Sequence, residues 1–177
     1  LDESERQQAD LQKKLAEKQQ KLSAMAEAYD TLVQQLEQDI ARGEVEVKKS
    51  GQEVMITLGD QILFRSGQAR LQQKGANVLK KIAHIFKQTQ GHYIRVEGHT
   101  DNTPISGSLK AKVPTNWELA AARSAAVVRY LQENAALDPS LLVLTAYGEH
   151  RPVADNKTFQ GRRQNRRVQI FFVPQSE

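Results

Sequence analysis

Apolar residues in the first 43 positions recur at helical spacing and form one narrow stripe. Leu15, Leu22, Tyr29 and Leu36 stand seven apart, and Leu11, Met25 and Leu32 occupy the interleaved position. Written as heptads, the first set is a and the second d, with Lys18 and Asp39 interrupting d. The segment holds no proline, and its first glycine is Gly43. Ala, Gln, Lys, Glu and Leu dominate it, all good helix formers. The pattern predicts a long amphipathic or coiled-coil helix, and about 30 such residues span roughly 45 Å. So narrow a stripe favours a homodimer through residues 11–40 over packing against the chain's own C-terminal part.

Beyond Gly43 both periods occur. Val45 and Val47 alternate, as do Val54, Ile56 and Leu58, and Lys49-Ser50-Gly51-Gln52 between them supplies turn chemistry, so 44–58 reads as a hairpin. From Gln68 to about Thr89, Leu71, Ala76, Leu79, Ile82, Ala83 and Phe86 fall at helical spacing, and Gly91 ends that helix. Tyr93, Ile94 and Val96 open a strand that runs into Gly98. A polar loop with Pro104, Gly107 and Pro114 follows, then a helix capped by Thr115 or Asn116 and lined by Ala122, Ala125, Val128 and Leu131. Asp138-Pro139 breaks it. Leu142 to Tyr147 is a short strand, 148–166 a long basic loop, and Val168 to Val173 the last strand. The order β-β-α-β-α-β-β is that of an α/β sandwich with two helices on one face of a mixed sheet. The chain thus divides into a helical stalk, 1–43, and an α/β domain, 44–177.

Charge sharpens that division. The first 43 residues hold nine acidic and six basic side chains, a net −3; the rest hold twelve and nineteen, a net +7. A chain without cysteine has no disulfide framework, no thiol nucleophile and no thiolate-held metal. No apolar run approaches the roughly 18–20 residues of a membrane-spanning helix. The first residue is Leu1 rather than Met. The expectation is that a natural N-terminal segment has been removed, and that this segment ties the full-length protein to a membrane.

Four segments then carry a resemblance. VEGHTDNTPI at 96–105, NWELAAARSAAVVRYL at 116–131, AYGEHRPVADN at 146–156 and GRRQNRRVQIFF at 161–172 resemble, in order and spacing, the C-terminal domains of OmpA-like proteins. GDQILFRSGQARLQQKG at 59–75 looks like the first strand-to-helix connection of that family. Between Asp101 and Arg123 lie 21 residues, a long loop with a TPI turn and an NWEL helix start that is similar to the MotB-type branch. The resemblance implies an OmpA-C-like fold and a non-catalytic periplasmic domain of a Gram-negative bacterium. Such a domain binds peptidoglycan non-covalently through the diaminopimelate of its stem peptide and anchors a membrane protein, motor or secretion complex to the wall. The alternative is a structural adaptor of the same fold that only dimerises.

The implied ligand makes chemical demands. The free end of diaminopimelate carries an ammonium and a carboxylate on one carbon. By resemblance, Asp101 takes the ammonium and Arg123 grips the carboxylate with a bidentate fork that lysine lacks. Asn116 stands seven residues, two helical turns, before Arg123 and so shares its face, and Thr100 completes the wall. Asp101 and Arg123 can also pair with each other, and a ligand can then replace or bridge that pair. Arg166 and Arg167 approach the last strand beside the groove that the resemblance implies; strand alternation sends them to opposite faces, so one contacts ligand and the other serves structure. In the family's LSxxRA segment this chain has Ala120 and Ser124, both compatible with a helix.

Other chemistries find little support. His84, His92, His99 and His150 show no metal-ligand spacing, and no nucleophile elbow or phosphate loop occurs. His99 either orients the loop of Asp101 or makes a strand-end hydrogen bond. No enzyme, cofactor or metal is expected. Arg151, Lys157, Arg162, Arg163, Arg166 and Arg167 against Asp155 form a basic stretch. With only Phe159 interleaved, it fits an anionic wall polymer or a solvated loop better than nucleic acid.

Overall fold

The computed structural model describes residues 2–176; Leu1 and Glu177, the outermost residues of the two expected domains, lie outside the described residues. Helix α1 runs from Glu3 to Gln35, about 50 Å at 1.5 Å per residue. Asp2 and Glu5 close a capping box at its start. Its two halves live in different surroundings. Leu11, Leu15 and Leu22 are 67%, 58% and 42% exposed, whereas Met25, Ala28, Leu32 and Leu36 are buried in the core of the α/β domain. Half of the expected dimer seam is therefore occupied inside the chain itself. A five-residue helix, α2 (Glu37–Ala41), buries Asp39 against Arg42 Nη2 at 2.6 Å and Lys81 Nζ at 3.2 Å. Asp39, one of the two charges that interrupt the heptads, is where the helical segment is pinned to the domain.

Strands β1 (Val45–Ser50) and β2 (Glu53–Gly59) form the expected hairpin, turned at Gly51, whose φ of 63° suits glycine. After them come the short α3 (Asp60–Leu63), α4 (Gln73–Gln88) and β3 (His92–His99). They are followed by α5 (Asn116–Glu133), β4 (Leu142–Gly148), α6 (Phe159–Asn165) and β5 (Arg167–Pro174). The sheet order is β1-β2-β5-β3-β4, with β3 and β4 parallel and the other pairs antiparallel. Ile56, Leu58, Ile94, Val96, Ile170 and Phe172 face Leu79, Ile82 and Phe86 of α4, Val127 and Leu131 of α5, and the end of α1.

Two departures from the sequence pattern bear on function. Helix α4 starts at Gln73 rather than Gln68. Residues 65–71 make an excursion closed by a Phe64–Leu71 bridge, and the Gln72 amide donates to Gln61 O at 3.0 Å and Phe64 O at 2.7 Å. The basic loop contains α6, too short and polar to show a period. Both excursions line the same groove. Gly98 is what lets β3 reach it: a Cβ there would collide with the Ala120 carbonyl and the Ser124 hydroxyl of α5.

The face of the sheet away from the helices carries charge. Arg95 makes a bidentate pair with Glu53 at 3.1 and 3.2 Å, donates to Glu97 Oε1 at 2.8 Å and lies over the Phe171 ring. Burial alone would raise the Glu97 pKa, but contacts with His99 and Arg95 outweigh it and hold the carboxyl below its usual value. A depressed carboxyl stabilises the fold above its unfolded pKa, and that contribution disappears as pH falls through the folded value. Glu97→Gln therefore costs about 2 kcal/mol near pH 7 and less near pH 3, because Glu97 comes to resemble the amide as it protonates. Urea unfolding of both proteins at the two pH values checks this; an equal cost at both would refute it.

Candidate functional site

Four charged side chains from four elements meet at one end of the sheet. Asp60 opens α3, Asp101 lies just beyond β3, Arg123 projects from the second turn of α5, and Arg166 ends α6. Arg166 Nη1 donates to Asp101 Oδ2 at 2.7 Å, and Arg166 Nε lies 3.4 Å from Asp60 Oδ2. Arg123 Nη1 reaches the same Asp60 oxygen at 3.4 Å. The alternative direct pairing of Asp101 with Arg123 does not occur; Asp60 and Arg166 stand between them. The four groups sum to zero charge. Together with Gln61, Phe64, Thr103, Leu109 and Asn116 they line an open groove of about 1040 Å³.

Arg123 is 4% exposed yet loosely held. Besides Asp60, among the described residues it donates only a 3.3 Å bond from Nε to the Gln68 carbonyl, and its guanidinium lies 5.3 Å from the centre of the Phe64 ring. Five N–H donors with two long contacts leave capacity for a further acceptor. Burial lowers the Arg123 pKa, with Asp60 opposing and Arg166 adding to the shift. Burial also raises the Asp60 pKa, against the pull of Arg123 and Arg166.

Asp101 is positioned through its own loop: Oδ1 accepts the Thr103 N–H at 2.8 Å, an Asx turn that aims Oδ2 at Arg166. Thr100 ties the loop down, its N–H to Gly148 O at 2.8 Å and its hydroxyl to Asp101 O at 2.9 Å. Thr115, paired with Glu118, caps α5 and so leaves Asn116 for the groove. The Asn116 amide donates to Thr103 O at 3.1 Å and Glu149 Oε2 at 2.7 Å, clamping two loops together. Arg167 does not line this groove. It turns to the other face, 4% exposed, and donates to Asn165 O at 3.2 Å and Arg151 O at 3.1 Å, fixing both ends of the basic loop. Burial lowers its pKa to about 10. His99 stacks on Tyr147 at 5.4 Å, 3.5 Å from Glu97, and neither ring nitrogen finds a hydrogen-bond partner among the described residues. No group of three potential metal ligands occurs among the described residues.

The sequence profile of the OmpA family matches residues 63–166. The chain belongs to the OmpA family. The match spans Asp101, Asn116 and Arg123 and ends on Arg166, while Asp60 and Arg167 lie just outside it. Motility protein B of Bacillus subtilis is 35% identical over 131 residues, 74% of this chain and 49% of that protein. The chain thus spans about half the length of the curated relatives it matches. Among solved structures, the cell wall anchor of the T6SS from Pseudomonas aeruginosa superposes with a TM-score of 0.73 at 29% identity, over 81% of this chain and 97% of that one. The periplasmic domain of Helicobacter pylori MotB gives 0.68 at 28% identity, over 77% and 85%. The OmpA-like α/β sandwich inferred from four sequence segments is the observed fold.

Asp60 is the member of the cluster that sequence reasoning missed. Its signal was present: an acidic residue two positions after Leu58, the last of the alternating Val54, Ile56 and Leu58, where the strand gives way to a helix start. Spacing could not show that it lies beside residues 41 and 63 positions further on.

Proposed function

We propose that this domain binds peptidoglycan non-covalently through the zwitterionic end of diaminopimelate and so anchors a larger protein to the cell wall. The observation that carries the reading is the neutral, alternating cluster of Arg123, Asp60, Arg166 and Asp101 along an open groove. A ligand head with one ammonium and one carboxylate adds no net charge there. Its carboxylate takes the free capacity of Arg123, and its ammonium lies against Asp101 Oδ2, which keeps lone-pair capacity beside Arg166. Recognition completes the task; no bond is made or broken. The OmpA-family relatives support an anchoring role, since one is itself a cell wall anchor.

In this reading the domain works in the periplasm of a Gram-negative bacterium, and a segment preceding it provides the membrane tether. No helix among the described residues is long and apolar enough to cross a membrane. A second copy pairs through the exposed Leu11, Leu15 and Leu22, since Met25, Leu32 and Leu36 are occupied within the domain.

Calorimetric titration with two stem peptides tests the ligand. One carries diaminopimelate, the other lysine, which lacks the terminal carboxylate. The first binds about tenfold or more tightly, the difference expected for a charged hydrogen-bonded pair. Absence of heat with both peptides, and of NMR shifts around Asp101, would favour the adaptor that only dimerises.

A further inference from the structure

The charges around the groove do not balance. The inner cluster is neutral, but Arg65 and Arg163 also line the groove, both exposed and without an ion pair among the described residues. A zwitterionic head leaves this surplus uncompensated. The ligand that suits the groove carries a further anionic group outside its head.

Arg163 is the better placed of the two. It sits on α6, and the loop around that helix is tied at many points. Asn165, fully buried, accepts the N–H groups of Val153 and Ala154 at 2.8 and 3.0 Å and donates to Ala154 O and Asn156 Oδ1 at 2.9 and 2.7 Å. Thr158 caps the helix at Gly161 N, 2.9 Å, and the Asp155 carbonyl sits where a Cβ on Gly161 would be. Arg163 Nε is held in turn: with its amide oriented to satisfy both neighbours, Gln61 accepts from Nε at 3.2 Å and donates to Asp60 Oδ1 at 3.1 Å. The guanidinium is thereby tethered to the inner cluster through Nε, with both Nη groups left for a bidentate acceptor. Phe159, 70% exposed, stands one helical turn before it and lines the same groove, an apolar wall for a ligand's methylene groups.

We infer that Arg163, with Phe159 beside it, forms a second subsite that takes a free carboxylate on the stem peptide next to the diaminopimelate head. In the peptide chemistry of the wall that group belongs to the γ-linked glutamate preceding diaminopimelate, whose two side-chain methylenes suit the phenyl face. The inference rests on the reading of the groove as a diaminopimelate site. It assigns Arg163 the discrimination between stem peptides with a free glutamate carboxylate and those in which it is amidated.

A thermodynamic cycle tests this with two tripeptides, Ala-γ-D-Glu-diaminopimelate and the same peptide with the glutamate α-carboxylate converted to carboxamide. The wild-type protein binds the carboxylate form about tenfold more tightly, the gain expected of a charge-assisted bidentate contact. Arg163→Gln, an exposed substitution, abolishes that preference, weakening the carboxylate peptide about tenfold more than the carboxamide peptide. Arg65→Gln retains the preference. A wild-type protein that binds both peptides equally, or an Arg163→Gln variant that keeps the tenfold ratio, overturns this inference and leaves the diaminopimelate reading intact. Loss of the ratio in Arg65→Gln alone moves the carboxylate to Arg65 and also overturns it. A wild-type protein that binds neither peptide sinks both readings together.

Discussion

Arg123→Lys and Asp101→Asn each reduce binding to purified sacculi by roughly a hundredfold while the fold persists, the loss expected when one member of a buried, hydrogen-bonded charge pair is changed. The two substitutions are chosen to separate recognition from folding. Arg123→Lys keeps the charge that faces Asp60 but removes the planar fork. Asp101→Asn keeps an oxygen to accept the Thr103 N–H at 2.8 Å, and with it the loop, but removes the charge that would hold an ammonium. Neither residue is a main support of the core: among the described residues Arg123 has polar contacts only at 3.3 and 3.4 Å, and Arg166 keeps Asp60 as a partner when Asp101 is neutral. Co-sedimentation with sacculi and peptide calorimetry give the affinity, and thermal unfolding gives the fold. Unchanged sedimentation of both variants would sink the assignment of the site, whereas loss of binding accompanied by unfolding would show the cluster to be structural.

The elements with a strong period were legible from the sequence, and those held by side-chain bonds to the backbone were not. Val54, Ile56 and Leu58 announce β2, and Leu79, Ile82 and Phe86 announce α4, because burial of one face imposes its spacing on the sequence. The 65–71 excursion and α6 bury little, and their shapes come from Gln72 and Asn165 bonding to particular carbonyls and amides. No period records that. The site follows the same division. Asp101, Asn116 and Arg123 stood out within motifs, but their coupling through Asp60 depends on α3 and α6 meeting across the end of the sheet. Of the adjacent Arg166 and Arg167, alternation showed that they would part; only the register of β5 shows Arg166 at the groove and Arg167 holding the loop behind it.

The helix at the start of the chain gives the other large effect. Leu36→Ala lowers stability by about 2–5 kcal/mol, the range for truncating a fully buried leucine, while Leu15→Ala changes it by less than about 0.5 kcal/mol. Leu36 and Leu32 have no exposed surface and pack among Val45, Val47 and the α4 core, whereas Leu15 is 58% exposed. The two leucines occupy the same heptad position, so a stalk acting only as a coiled coil would treat them alike. Urea unfolding measures the difference, and light scattering adds a second reading. Removing residues 1–22 lowers any dimer mass and leaves the unfolding midpoint of the monomer in place. Removing residues 1–42 also strips Met25, Ala28, Leu32 and Leu36 from the core and shifts that midpoint downward. Equal stability of the two shortened chains would show that the α/β domain closes its core without the helix. A lower midpoint for the chain lacking residues 1–42 alone places the start of the folded unit within residues 23–42, inside the helical segment rather than after it.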